Sequence, residues 1–158
     1  MKKIFLVAAA ILGLAIAATA QPRALGARLG YGVEASYQHT FQGADFMEAT
    51  VGLFGTGFNA TASYNYMLAQ PYWTDRGEWG IYAGPGASIG YGIDLKHEVY
   101  NFNVTLVGQV GIEYTFWFPL QLSIDLRPQI GLAFGDGVHF YQNGLLGFTP
   151  CLSVRYRF

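Results

Sequence analysis

The chain has 158 residues, with nine basic and ten acidic side chains and a formal net charge of −1. Charged residues are only 12% of it, about half the share usual in a soluble domain, while aromatics reach 16% and glycine fills 21 positions. That balance offers no basic face to a nucleic acid, and beyond the first segment no apolar run is long enough for a membrane-spanning helix.

The chain opens as a targeting segment. Met1-Lys2-Lys3 supplies a positive start, an apolar run follows from Ile4 to about Ala18, and Ala18-Thr19-Ala20 reads as a small-residue cleavage signature. A signal peptide over 1–20 is therefore expected, with Gln21 first in the mature chain. A retained anchor is the weaker reading, because the run is short and ends in a cleavage site. Removal would leave 158 − 20 = 138 residues, one domain over 21–158, with a charge of 7 − 10 = −3 and Lys96 as its one lysine. Cys151 is alone, so no disulfide can form within the chain.

The rest alternates with a period of two, the signature of strands with one apolar and one polar face. Strands are expected over 26–31 and 33–39, although Leu29, Tyr31, Val33, Ala35 and Tyr37 alternate without a break and could form one long strand kinked at Gly30 and Gly32. Further strands are expected over 46–55 and 58–69. The stretch 69–78 is long for a turn and has no evident structural reason. Strands then follow over 79–92, 102–116, 119–133 and 147–158. A tight turn at Trp117-Phe118-Pro119 alternates with longer polar connections over 93–101 and 135–146. The clearest strand sets Leu120, Leu122, Ile124, Leu126, Pro128, Ile130 and Leu132 against Gln121, Ser123, Asp125, Arg127, Gln129, Gly131 and Ala133.

A soluble β-sandwich also alternates. Two features favour a membrane barrel. The polar faces are rich in Gly, Ser, Thr and Asn, as a narrow lumen requires. The aromatics gather at strand ends (Tyr64 and Tyr66, Trp79, Tyr114 to Phe118, Tyr156 and Phe158), as interfacial girdles do. The fold expected is all-β: an eight-stranded antiparallel up-and-down transmembrane β-barrel, even-numbered for closure, with both termini in the periplasm.

The end of the chain, Ser153-Val154-Arg155-Tyr156-Arg157-Phe158, resembles the C-terminal signal by which outer-membrane barrels are recognised for assembly, carried by Val154, Tyr156 and Phe158. The segments GIYAGPGASIGYG, VGQVGIEYTF, LQLSIDLRPQIGL and SVRYRF resemble the small OmpX-type barrel proteins common in Bacteroidetes. The resemblance implies an eight-stranded barrel in outer-membrane lipid, inserted by the barrel assembly machinery with periplasmic chaperones, and it implies no reaction.

By phase, the inward charges are Arg28, Glu34, Glu48, Glu113, Asp125, Arg127, Arg155 and Arg157, four of each sign. Paired across neighbouring strands they would fill the lumen as a neutral polar core; in the competing reading they line a narrow ion path. Eight strands leave little open lumen, which favours the filling. Asp125 with Arg155 is the first pair expected, with Arg127 beside them. His39, His97 and His139 show no metal-ligand spacing, so neither metal nor cofactor is expected. A lipid A-modifying enzyme would need a His-x-Ser motif; the nearest stretch, His139-Phe140-Tyr141, has tyrosine in the serine place, so no nucleophile can be assembled. The expected role is a non-enzymatic monomer with a structural, protective or loop-mediated binding function, with Val99, Tyr100, Phe140 and Tyr141 as loop candidates.

Overall fold

The computed structural model describes residues 23–30, 32–41, 43–54, 57–94, 99–135, 137–144 and 148–158. The expected signal peptide, its cleavage site, Lys96 and His97 lie outside the described residues, as does Tyr31. Ten strands follow in chain order: β1 (Arg23–Leu29), β2 (Val33–Thr40), β3 (Phe46–Phe54), β4 (Gly57–Ala69), β5 (Glu78–Asp94), β6 (Val99–Thr115), β7 (Leu120–Leu126), β8 (Gln129–Phe134), β9 (Val138–Gln142) and β10 (Cys151–Arg157). All pairings are antiparallel, and the β5–β6 and β1–β10 ladders join the sheet into a closed barrel. β7 with β8 forms the seventh stave and β9 with β10 the eighth, so the barrel is eight-stranded. Arg23 and Phe158 seal it with a reciprocal pair of backbone hydrogen bonds of 3.0 and 2.8 Å.

The stagger follows from the register. From Thr115 on β6, the hydrogen-bonded neighbours run through Gln121, Arg155, Gly26, Ser36, Thr50, Thr61 and Ser88 and return to β6 at Thr105, ten residues from the start. With strands ~4.7 Å apart and a rise of ~3.3 Å per residue, that stagger tilts the staves by about 40° and gives a backbone radius of about 8 Å. Such a tube is filled by its own side chains.

The two faces are inverted relative to a water-soluble protein. Among the described residues, the buried apolar side chains are few (Ala24, Phe46, Tyr82, Val107 and Cys151), while serine, threonine, asparagine, glutamine, arginine and carboxylates crowd the interior. Outside, Val51, Leu53, Leu106, Ile124, Ile130 and Leu152 are exposed. Around the end that holds the termini Tyr64 contacts Tyr66, and Trp73, Trp79, Tyr114, Phe116, Trp117 and Phe118 form a second run of ring contacts. A second aromatic row, Phe58, Tyr91, Phe102 and Phe134, lies across four neighbouring staves toward the opposite end.

Several sequence expectations change. The two strands expected over 26–31 and 33–39 form as β1 and β2, and the alternative of one kinked strand does not, since Leu29 is the cross-strand partner of Val33. The stave expected over 119–133 breaks at Arg127-Pro128, because proline has no N–H for the ladder. Asn143 staples the gap: its side chain accepts from Gln129 N at 2.8 Å and donates to the Arg127 carbonyl at 3.0 Å. Part of the connection expected over 135–146 is strand β9, and β10 begins at Cys151 rather than at 147.

The unexplained stretch before β5 folds back on the aromatic belt. Trp79 Nε1 donates to Thr74 Oγ1 at 3.2 Å, the Tyr114 hydroxyl donates to the Arg76 carbonyl at 2.6 Å, and the Arg76 guanidinium lies 5.9 Å from the Trp117 ring centre. Gly77 closes this excursion at φ 78°, where a Cβ would sit 2.5 Å from the Tyr114 hydroxyl oxygen. Its length thus serves to cover ring faces and to give a tyrosine hydroxyl a partner.

Candidate functional site in the barrel lumen

Alternation aims one residue in two at the barrel axis, and charged side chains on β1, β2, β3, β7 and β10 meet there. Arg28 donates through Nη2 to Asp125 Oδ1 at 2.6 Å and through Nη1 to Glu34 Oε2 at 3.0 Å. Its Nε lies 3.2 Å from both Asp125 oxygens, so the Asp125 carboxylate is gripped from two nitrogens. Arg127, just past the end of β7, reaches Glu34 at 3.2 Å, Thr50 Oγ1 at 3.0 Å and Glu48 at 3.6 Å. Arg155 pairs with Glu48 and donates to Ser36 and Ser123, each at 2.7 Å. Glu48 also accepts from Ser36 and from Gln109, each at 2.7 Å, and Ser63 donates to Gln109 at 2.6 Å.

Three arginines and three carboxylates thus make one neutral, buried cluster spanning the lumen. Buried charge is tolerated only when it is paired and hydrogen-bonded, and here each carboxylate has at least one arginine. Below the cluster, toward the termini, the Phe46 and Tyr82 rings meet edge to face at 5.0 Å. The Tyr82 ring lies over its cross-strand neighbour Gly111, where a Cβ would fall 2.6 Å from the ring.

The remaining two of the eight expected lumen charges stand apart. Arg157 is at the rim, about one-third exposed, 3.7 Å from Glu78. Glu113 is buried, accepts one hydrogen bond from Gln121 Nε2 at 3.0 Å, and has no ion pair among the described residues. Both border a cavity of about 360 Å³ that opens at the terminal end, with Gln38, Phe46, Met67, Trp79 and Gln121 among its walls. The expected Asp125–Arg155 pair does not form. Register sets Arg155 beside Gln121 and Asp125 beside Cys151; Arg155 reaches Glu48 on β3 instead, and Asp125 is taken by Arg28 of β1, which also meets its directly opposed neighbour Glu34.

Ser36, Thr50, Gln109 and Ser123 complete the cluster and were not singled out from sequence; their place on the polar face of an alternating strand was the available signal. Arg23, also buried, lies before the expected start of the first strand. His39 stacks edge to face on Phe41 at 5.1 Å, and His139 and Phe140 are exposed on β9. Val154, Tyr156 and Phe158 all face outward.

Compared with protein-family models, with curated proteins and with solved structures, the chain matches none.

Proposed function

We propose that the chain is an integral outer-membrane barrel, exported through a cleaved signal peptide, non-enzymatic, and acting as a structural or protective element of the envelope with a binding surface at the end away from its termini. The inversion of its two faces carries this reading: charge and amide groups inside, aliphatic side chains outside. A soluble monomer rarely exposes an apolar patch beyond a few hundred Å². Two aromatic rows bound the aliphatic zone. Tyr114 and Phe102 are twelve residues apart on β6, about 30 Å along the axis at this tilt, which matches a bilayer's hydrocarbon thickness. The OmpX-type resemblance and the terminal Val154, Tyr156 and Phe158 fit insertion by an assembly machinery, as a monomer with no cofactor.

The filled lumen favours a plugged barrel over a narrow pore. The binding role rests on β9, which pairs only with β8 and leaves its other edge without a strand among the described residues. Val138 and Phe140 are exposed there, and an unpaired strand edge can template an added strand.

Outer-membrane extraction followed by SDS gels of unboiled and boiled samples tests the reading. A band that shifts on boiling is expected; recovery of the chain in the soluble periplasmic fraction with no shift would overturn it. Planar-bilayer recordings of the refolded barrel are expected to be silent, and steady single-channel openings would replace the plug with a pore.

A further inference from the structure

The connection between β4 and β5 carries a cation to the outer wall. Six arginines lie among the described residues. Arg28, Arg127 and Arg155 are buried in the lumen cluster, and Arg23 and Arg157 line the terminal-end cavity. Arg76 alone of the six stands outside the tube. Its backbone carbonyl accepts from the Tyr114 hydroxyl, and its exposed side chain holds the guanidinium 5.9 Å from the Trp117 ring centre. Tyr114 and its cross-strand partner Trp79 share the outward phase of Val110 and Leu106, both exposed further along β6. Residues 73–76 are therefore folded against the outside of the barrel. Arg76 forms no ion pair among the described residues, not even with the adjacent and exposed Asp75.

The rings around it suit a membrane surface. Tyr72 is fully exposed, and Trp73 and Trp117 are more than half exposed. Trp73 packs on Trp79 at 5.3 Å and Trp79 on Tyr114 at 4.7 Å, so the exposed rings are anchored to the wall. Amphipathic rings settle at the level of lipid headgroups. An arginine held among them, its charge drawn to a tryptophan face, meets the phosphate layer there. A guanidinium fits a phosphate through two parallel N–H donors. The charge is complementary to that group and not to the acyl chains beside the aliphatic zone.

We propose that residues 72–76, with Trp117, form a phospholipid headgroup site on the outer wall at the terminal end. Arg76 takes the phosphodiester, Tyr72 and Trp73 sit at the level of the glycerol, and the acyl chains follow the outward faces of β5 and β6. The site rests on the reading of the chain as a membrane barrel. It adds a preference for phosphate-bearing lipid at one point of the rim, and gives the length of the β4–β5 connection a second use.

All three tryptophans of the chain, Trp73, Trp79 and Trp117, stand in this patch, so quenching of tryptophan emission reports on it directly. The whole barrel is refolded in a maltoside detergent, which carries no phosphate, and folding is verified by the gel shift. Phosphatidylglycerol or diacylglycerol, each with the same brominated acyl chains, is then added in rising mole fraction. Phosphatidylglycerol is expected to quench half-maximally at about one-fifth of the mole fraction that diacylglycerol needs, the worth of one basic side chain at a lipid surface. Arg76→Gln should bring the two curves together, and Arg76→Lys should keep most of their separation. The wild-type comparison carries the test if Arg76→Gln fails to fold. Coincident wild-type curves, or a separation retained by a folded Arg76→Gln barrel, would overturn the proposal. Relief of the quenching by an equal concentration of inorganic phosphate would do so too, by assigning Arg76 to a free anion. A chain without a gel shift fails the membrane reading itself, whereas a shifted barrel with coincident curves fails this site alone.

Discussion

The middle of the lumen and its terminal end are built from the same alternating strands, yet they solve opposite problems. In the middle, Arg28, Arg127 and Arg155 meet Glu34, Glu48 and Asp125, and every charge is answered from within the chain. At the terminal end Arg157 lies out at the rim beside Glu78, and Glu113 has a hydrogen bond from Gln121 but no ion pair among the described residues. One region pairs its charges internally and ties the staves together. The other borders an open cavity. Inward polarity alone therefore does not say whether a stretch of barrel interior ties the staves; the pairing within it does.

Glutamine substitution at the two glutamates is the sharpest way to break the comparison. Glu48→Gln removes the charge shared by Arg127 and Arg155 and should destabilise the folded barrel by about 3–5 kcal/mol, because buried Arg155 loses its carboxylate partner and Arg127 keeps only Glu34. Urea unfolding in detergent, followed by tryptophan emission, measures it. A loss no larger than that of Glu113→Gln would mean the middle cluster is not the structural half.

Next in size is a change on the opposite face. Ile124→Arg places a cation in the aliphatic belt and should cost about 2–4 kcal/mol if that belt meets lipid. Gln121→Arg, three residues away and facing inward, should assemble in better yield. Equal yields in the outer-membrane fraction would undo the assignment of faces. Gly111→Ala should cost less, about 1–3 kcal/mol of overpacking, by driving a methyl into the Tyr82 ring. Smallest is Glu113→Gln, at no more than ~1 kcal/mol, since the amide oxygen can still accept from Gln121. A larger loss would join the cavity to the structural cluster.

The faces were legible in sequence because a strand displays its two environments at a period of two, and Leu120 to Leu132 did so plainly. The same rule left the first turn ambiguous. Leu29 and Val33 are cross-strand partners and must face the same side, and the three residues between them preserve their parity, so the alternation ran on as though the strand did. β9 was hidden for a different reason: Val138, His139 and Phe140 are all exposed, and a strand wetted on both faces has no contrast to read. Arg28 with Glu34 joins directly opposed neighbours on β1 and β2; the other pairs of the cluster were illegible because their partners lie on staves that do not adjoin. In a tube of about 8 Å radius an arginine reaches staves its own strand never touches, as Arg28 does in joining Asp125.

The seal between β1 and β10 has a consequence for how the molecule comes into being. Ala24 pairs with Arg157, 133 positions later, so the ladder that turns a curved sheet into a tube joins strands from the two ends of the described chain. Loop-closure entropy for such a pairing is met only once everything between is in place, which makes closure late and all-or-none. A chain interrupted before Cys151 presents two raw edges, on β1 and β7, to any protease that reads extended backbone. The finished ring presents neither, because β10 covers both edges.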